Sequence, residues 1–184
     1  MKKVSIFKIL AILITSTILV ASCTKENPDV RLDPKLSTSQ VIDVKSDSAT
    51  VIGFVVAAGD GFSEKGICYN TEPNPTTENN KVIYTGDNST ATFTVVLSGL
   101  HYATTYYARA YASNGSTTLY GEEYQFTTMP ILPTVTTAAI TDITGTTATG
   151  GGNITNDGGA DITERGVVYL ETENPTLETG FKTS

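Results

Sequence analysis

The side chains that could carry out covalent chemistry are few in this sequence of 184 residues. His101 is the one histidine, and Cys23 and Cys68 are the two cysteines. A Ser/His/Asp or Cys/His mechanism would depend on His101, and no Gly-x-Ser-x-Gly nucleophile motif is present. Metal sites built from histidine and cysteine are excluded by their number. We therefore expect a protein that is not an enzyme and that needs no metal or other cofactor.

Carboxylates are plentiful, with 19 Asp and Glu in the chain. The Glu122-Glu123 pair is adjacent on a predicted strand, so its side chains point to opposite faces, unlike the paired acids of a glycosidase. Asp157 and Asp161 flank a glycine-rich turn, as Asp60 and Glu64 do earlier in the chain. These pairs could hold calcium weakly, but aspartate is common in turns because its side chain bonds its own backbone. We interpret them as turn residues.

The amino-terminal segment has the pattern of a secretory signal. Three lysines precede an apolar run from Ile9 to Val20, which is shorter than the roughly 20 residues of a membrane span. The next residues, Val20-Ala21-Ser22-Cys23, resemble the bacterial lipobox. The resemblance implies cleavage after Ser22 and acylation of Cys23. The alternative is an ordinary secretory signal, over residues 1–22, with a cysteine nearby by chance.

A lipobox implies that Cys23 anchors the protein in a membrane and that residues 23–36 form a tether. Thr24-Lys25-Glu26 partly resembles the export tag of surface lipoproteins in Gram-negative bacteria, which implies an outer-membrane location facing outward. Loss of residues 1–22 removes three lysines and no acids, so the formal net charge goes from −7 to −10. This acidity argues against nucleic acid as a partner.

A segment of the chain is repeated. Glu64–Thr76 reads EKGICYNTEPNPT, and Glu164–Thr176 reads ERGVVYLETENPT. A period of 100 residues is the size of a β domain, not of a short solenoid repeat. Short runs rich in β-branched and aromatic residues, bounded by Gly, Asn, Asp and Pro, predict an all-β fold of Ig-like sandwiches. In the first copy the predicted strands are 39–44, 49–56, 64–69, 82–84, 92–97, 105–112 and 122–127.

Residues 100–106, LHYATTY, resemble the fibronectin type III pattern that leads into strand F, and residues 121–128, GEEYQFTT, resemble the last strand of that family. The resemblance implies one fibronectin type III-like module over 37–128, a linker at 129–133 and part of a second module over 134–184. It also makes Tyr106 a tyrosine corner, whose hydroxyl bonds nearby backbone. The chain departs from the family pattern at Tyr102, in place of a proline, and near Gly53, where the family has a tryptophan. The chain resembles the tandem modules in surface lipoproteins of Gram-negative gut-type bacteria.

The second copy stops in the loop after its third strand. Half a sandwich buries too little apolar surface to offset the chain entropy lost on folding. Three explanations are open: the chain is a fragment of a longer lipoprotein, it is a truncated product with a disordered tail, or its second unit accepts strands from a partner.

Two surfaces are predicted from strand alternation. If Tyr106 faces the core, then Tyr107, Arg109 and Tyr111 face outward together and form a flat amphipathic surface for a sugar or a protein.

Cys68 is expected to be a small buried residue.

The second surface lies on the strand at 49–56. The second copy aligns with this strand at an offset of 99, since Thr147-Ala148-Thr149 matches Ser48-Ala49-Thr50, and a one-residue length change in the next turn gives the offset of 100 downstream. The outer positions Ile52, Phe54 and Val56 are apolar, whereas the second copy has small or polar residues there: Gly151, Asn153 and Thr155. A neighbouring domain, the tether or a partner is expected to cover this face, unless a loop or edge segment of the same module does so.

Two functions fit these features. The first is a non-catalytic surface lipoprotein that works in adhesion by binding a glycan or an extracellular protein. The second is a structural spacer that presents a catalytic or binding domain located beyond Ser184. Fold alone does not decide between them.

Overall fold

The computed structural model describes residues 34–59, 61–89 and 91–183. The predicted signal segment, Cys23 and nearly all of the tether lie outside the described residues, as does Asp60. Regular structure in the described part consists of antiparallel β-strands, which confirms the predicted all-β sandwich class. In chain order they are β1 (Lys35–Ile42), β2 (Ser48–Ala57), β3 (Glu64–Asn70), β4 (Asn80–Ile83), β5 (Thr92–Ser98), β6 (Thr105–Ser113), β7 (Thr118–Tyr120), β8 (Tyr124–Thr127), β9 (Thr134–Thr137), β10 (Gly152–Asn156), β11 (Val167–Tyr169) and β12 (Phe181–Thr183). Within these described ranges no helix is long and apolar enough to cross a membrane.

The first module is a sandwich of two sheets. One sheet has the order β1-β2-β5, and the other has the order β4-β3-β6-β7, with β8 also paired to β6. Alternate residues of the inner faces form one buried core, whose members include Ala49, Val51, Ile67, Phe93, Val95, Leu97, Ala108, Ala110 and Phe126. Phe93, Val95 and Leu97, which alternate along the predicted strand at 92–97, are the buried residues of β5.

Gly53 explains how the core closes without the large aromatic that the related pattern places on this strand. A Cβ at Gly53 would overlap the ring of Phe93, which lies directly over the backbone of β2. Phe93 is buried and stacks at a tilt against Tyr84, with 5.6 Å between ring centroids. A large aromatic side chain of the core is thus supplied by β5, and β2 needs a residue without a side chain where the Phe93 ring contacts it.

The first strand differs from the prediction in its start. β1 begins at Lys35 rather than Ser39, and Leu36 is buried in the core, so the module includes two residues assigned to the tether. β1 has a register shift between Thr38 and Gln40. At this irregularity the hydroxyl of Thr38 accepts a hydrogen bond from the N–H of Ala110 (2.9 Å), which ties β1 to the opposite sheet.

The last predicted strand, 122–127, is observed as the shorter β8, and β7, which was not predicted, precedes it on the same edge of β6. Gly121 lies between them, and its N–H donates to the carbonyl of Ala110 (2.8 Å). A Cβ at Gly121 would lie 2.5 Å from the backbone nitrogen of Thr38. The close approach of β1 is therefore what interrupts this edge.

The second unit contains two separate strand pairs. β9 pairs with β10, and β11 pairs with β12. Apolar side chains here are not covered as in the first module: Ile140 and Ile143, between β9 and β10, and Tyr169 of β11 are exposed, and they line a cleft of about 890 Å³. The repeated segment thus adopts the same local elements in both copies, but only the first copy builds a closed core.

Candidate functional site

The outward face of β6 carries the three predicted ligand residues. Its register with β3 places Tyr107 opposite Asn70, Arg109 opposite Cys68 and Tyr111 opposite Gly66. The three side chains thus share one face of the sheet, as alternation predicted.

Tyr111 is not part of an exposed surface, and that prediction is wrong. Its side chain is 0% exposed. The ring lies against Gly66, where a Cβ would come within 2.9 Å of Cε1, and the hydroxyl donates to Oε1 of Glu64 at 2.7 Å. Nζ of Lys81 lies 5.6 Å from the ring centroid and 3.1 Å from the same Glu64 oxygen. Neighbouring strands therefore seal Tyr111 on the face that alternation assigned to solvent.

The electrostatics of this cluster follow from its hydrogen bonds. The hydrogen bond from Tyr111, and then the one from Lys81, lowers the pKa of Glu64 below its ordinary value. Burial, and then the contact with Glu64, raises the pKa of the Tyr111 hydroxyl. The carboxylate is held ionised and the phenol is held neutral, which is the arrangement of a structural hydrogen bond.

Arg109 is also engaged within the module. Its Nε donates to the carbonyl of Gly121 (3.0 Å), and its guanidinium lies over the ring of Tyr120, 4.8 Å from the centroid. The hydroxyl of Tyr120 in turn bonds the N–H of Thr77 (3.1 Å), in the loop between β3 and β4. This loop folds over the face, with Pro75 buried and its carbonyl 3.4 Å from Sγ of Cys68. Tyr107 and Arg109 remain partly exposed at the margin of this cover.

Tyr106 faces the core, as expected. Its hydroxyl accepts a hydrogen bond from the backbone N–H of His101 at 3.0 Å, and its ring stacks on Phe126 with 5.8 Å between centroids. This bond from the chain five residues upstream is the contact predicted for a tyrosine corner.

The reactive residue types occupy unreactive positions. Cys68 is fully buried, and burial raises the pKa of its thiol to about 11, so it is protonated at neutral pH. His101 is exposed on the turn before β6. Across residues 34–59, 61–89 and 91–183, no three His, Cys, Asp or Glu side chains are grouped so that they could hold a metal ion.

The outer face of the β1-β2-β5 sheet is the larger exposed apolar surface of the first module. Phe54 is 40% exposed and Val56 is 49% exposed, while Ile52 is half-buried. Register adds two residues that we did not assign to this surface from sequence: Val96 of β5 (59% exposed) and Ile42 of β1 both lie opposite Thr50. We call Ile42, Ile52, Phe54, Val56 and Val96 the β2 face. Within the described residues Phe54 is exposed, so a loop or edge segment of the module does not cover this face, and its cover by a neighbouring domain, the tether or a partner stays a prediction.

The chain is similar to known proteins in solved structures, not in family models or curated sequences. No family model matches the sequence, and no curated protein does. Among solved structures, the chain is similar to the sensor domain of the anti-sigma factor RsgI4 of Pseudobacteroides cellulosolvens. A shorter form of that domain has 15% identity and a TM-score of 0.40, with 52% of this chain and 94% of that one covered. A longer form has 14% identity and a TM-score of 0.42, with 61% and 100% covered. Similarity at this level does not bear on the function of this chain.

Proposed function

We propose that this chain is a non-catalytic surface lipoprotein, anchored through Cys23 in the outer membrane of a Gram-negative bacterium, that works in adhesion by binding an extracellular protein. In this proposal its modules are of the fibronectin type III-like kind that the sequence resembles. The single observation that supports binding is the β2 face, an apolar surface that the fold does not require. The second copy has Gly151, Asn153 and Thr155 at the equivalent positions, so an apolar outer face is not needed to form the strand.

The chemistry of the β2 face favours a protein ligand over a glycan. Its apolar members are two isoleucines, two valines and one phenylalanine. They are interleaved with the threonines Thr50, Thr92 and Thr94. Sugar sites combine flat aromatic rings with several directed hydrogen-bond groups. Exposed contiguous apolar surface of this kind is typical of protein interfaces. The Tyr107, Arg109 and Tyr111 face is a weaker candidate for a glycan, because Tyr111 is sealed and Arg109 is already stacked on Tyr120.

An array of purified extracellular-matrix proteins and glycans, probed with the full chain in detergent, tests this proposal. We expect binding to at least one protein, with affinity reduced at least about tenfold by combined Phe54→Thr and Val96→Thr, because truncating an interface anchor has an effect of this size. Tyr107→Ala is the matched control and should leave that binding unchanged.

Other outcomes of the array would overturn the protein ligand. Binding to glycans alone, with loss on Tyr107→Ala, would move the site to the β6 face. Self-association in sedimentation that disappears with the Phe54 and Val96 variant would identify a second copy as the occupant. Absence of any bound protein would refute adhesion through the β2 face.

The lipid anchor has its own test. Cells that express the chain and are grown with labelled palmitate should incorporate label into it, and Cys23→Ser should abolish incorporation, because the thiol is the acceptor. Cys68→Ser is the control and should retain the label, since that thiol is buried. Labelling that survives Cys23→Ser would refute the anchor.

The second candidate function is a spacer that presents another domain away from the membrane. The observation that favours it is the linker at 129–133, which is hydrogen-bonded on both sides. Met129 donates to the carbonyl of Lys45 (3.0 Å), in the first module, and Ile131 donates to the carbonyl of Gly158 (2.9 Å), in the second unit. If the chain is only a spacer, the combined Phe54→Thr and Val96→Thr variant should bind the same proteins and glycans on the array as the unmodified chain.

A further inference from the structure

The junction between the two copies is built from three short segments. They are the turn before β6 at residues 102–104, the linker at 129–133 and the turn after β10 at residues 156–159. We call these three segments the module joint. Its backbone bonds begin with the N–H of Ala103, which donates to the carbonyl of Met129 (3.2 Å), and continue with the bond from Ile131 to Gly158. The linker is therefore fixed to one copy before Pro130 and to the other copy after it.

A side-chain pair joins the two turns directly. The Nδ2 of Asn156 donates to the hydroxyl of Tyr102 at 2.8 Å, and that hydroxyl lies 3.3 Å from Oδ1 of Asn156. The same Oδ1 accepts the N–H of Gly158 at 2.8 Å, which holds the asparagine side chain in place. Both side chains are half-buried. A partly desolvated pair of this kind is more favourable than one in open water, and it requires a defined geometry between the copies.

Two glycines allow the turns to come together. Gly158 has φ of +75° and Gly159 has φ of +80°, a region that residues with a Cβ rarely adopt. A Cβ at Gly158 would overlap the carbonyl oxygen of Ile131, and a Cβ at Gly159 would overlap the Cβ of Ala103. Gly158 is buried. Each glycine is thus required for two reasons: its own turn needs a positive φ, and the neighbouring segment leaves no space for a Cβ.

The first copy shows which of these features the turn itself requires. Its turn after β2 has Ala57 at the position of Asn156 and Gly59 at the position of Gly158, with φ of +56°. There a Cβ at Gly59 would lie 3.1 Å from the Cβ of Pro34, just before β1. The turn therefore forms with glycine but without asparagine. Asn156 also bonds the N–H of Gly158 within its own turn, but the first copy forms this turn without that bond, so the contact with Tyr102 is the role that the turn itself does not require.

We propose that the module joint is a directional docking site, in which a turn of the form Asn-x-Gly-Gly on one module binds the Tyr102–Ala103 turn of the module before it and fixes the angle between them. The partner that this site fits is a following module of the same fold that carries the same turn. The inference concerns the geometry of the array and is independent of whether the β2 face binds a ligand.

Nuclear magnetic resonance of the ¹⁵N-labelled full chain in detergent micelles tests this proposal. Residual dipolar couplings should fit one common alignment tensor for residues 34–128 and 134–183. Order parameters of the Ile131 and Leu132 amides should be near 0.85, the value of a rigid backbone. In Asn156→Ala and in Tyr102→Phe we expect the common tensor to be lost and those order parameters to fall below about 0.6. Tyr107→Phe, which removes a hydroxyl outside the joint, should leave both readouts unchanged.

The variants are chosen so that they change the joint and leave the second unit folded. Asn156→Ala installs the residue that the first copy carries in its own turn, so the second unit is expected to keep its strands, and amide shifts of β10 and β11 verify this. Different alignment tensors in the unmodified chain would overturn the proposal. A common tensor that persists in both variants would also overturn it, because the Tyr102–Asn156 pair would then not hold the angle.

Discussion

The repeated segment occurs twice in one chain with the same local structure and opposite environments. In the first copy, β3 leads into a loop in which Asn74 has φ of +57°, and in the second copy β11 leads into a loop in which Asn174 has φ of +60°. The N–H of Thr76 is bonded by Asn79 and the N–H of Thr176 is bonded by Thr179, three residues ahead in each case. Yet Ile67 is fully buried, whereas its counterpart Val167 is half-buried and Tyr169 is exposed.

The difference teaches that short-range sequence sets the strand and its turn, while burial is set by other strands. β3 is flanked by β4 and β6 and lies under the core residues of β5. In the described part of the second unit, β11 has β12 as its one strand partner. A strand edge and an apolar face without cover contribute little to stability, because hydrophobic stabilisation grows with the area removed from water.

The largest expected contrast is at the equivalent core positions. Ile67→Ala should lower the free energy of unfolding by about 2–5 kcal/mol, because it opens a cavity in a closed core. Val167→Ala should lower it by about 1 kcal/mol or less, because its side chain is already partly in water. Urea unfolding followed by tyrosine fluorescence measures both values. Equal losses would mean that the second unit has a closed core.

A second contrast uses a glycine of β2 and a glycine that lies just before β10. Gly53→Ala places a methyl group against the Phe93 ring, and overpacking of this kind reduces stability by about 1–3 kcal/mol. Gly151→Ala meets nothing within 4 Å and should change stability by no more than about 0.5 kcal/mol. Thermal unfolding by circular dichroism compares the two. If Gly53→Ala were neutral, the ring of Phe93 would not lie over β2.

The tyrosine corner gives a smaller effect. Tyr106→Phe removes the acceptor of the His101 N–H while keeping the ring stacked on Phe126, so stability should fall by about 1 kcal/mol. Tyr107→Phe, one residue along the same strand and on the opposite face, serves as the control and should be within about 0.5 kcal/mol of the parent. Indistinguishable urea midpoints for the two variants would contradict a stabilising corner.

The smallest expected effect is on how the free energy of unfolding changes with pH, and it comes from a residue that the second copy lacks. Cys68 has a pKa raised to about 11 by burial, whereas an unfolded thiol titrates near 8.5, and the second copy has Val168 at this position. The unfolded state therefore loses the proton first. The contribution of the buried thiol is complete below pH of about 8.5 and is lost as the pH rises towards about 11.

Cys68→Val should make the free energy of unfolding fall less steeply over this alkaline window than in the parent chain. Urea unfolding at neutral pH and at several alkaline values gives the two slopes. Cys68 also raises the pKa of the nearby Tyr111 hydroxyl, behind the larger effects of burial and of Glu64, so the difference between the slopes includes a smaller contribution from Tyr111. Parallel slopes would show that the thiol is not protected in the folded state.

Much of the sandwich was predictable from alternation. The core faces of β2, β5 and β6 follow from residues two apart, because successive side chains of a strand point to opposite faces. The start of β1 and the break between β7 and β8 were not predictable. They arise where Thr38 bonds Ala110, a contact between residues 72 positions apart, and where Gly121 admits the backbone of β1.

The candidate site was predictable only as a set of faces. Alternation placed Tyr107, Arg109 and Tyr111 together, but it could not show that Glu64, Gly66 and Lys81 would seal Tyr111. The β2 face was predicted in part. Val96 and Ile42 joined it through strand register, which depends on pairings between distant segments.

By itself, the sequence determined the period of the repeat, the strands within it, the side of each strand that faces inward and the turns that need glycine or asparagine. These features depend on residues close together in the chain. Only the tertiary structure decided which faces are covered, because cover comes from strands and loops that are distant in sequence. The same rule explains the module joint: Tyr102 and Asn156 are 54 residues apart, and their pairing depends on how the linker places one turn against the other.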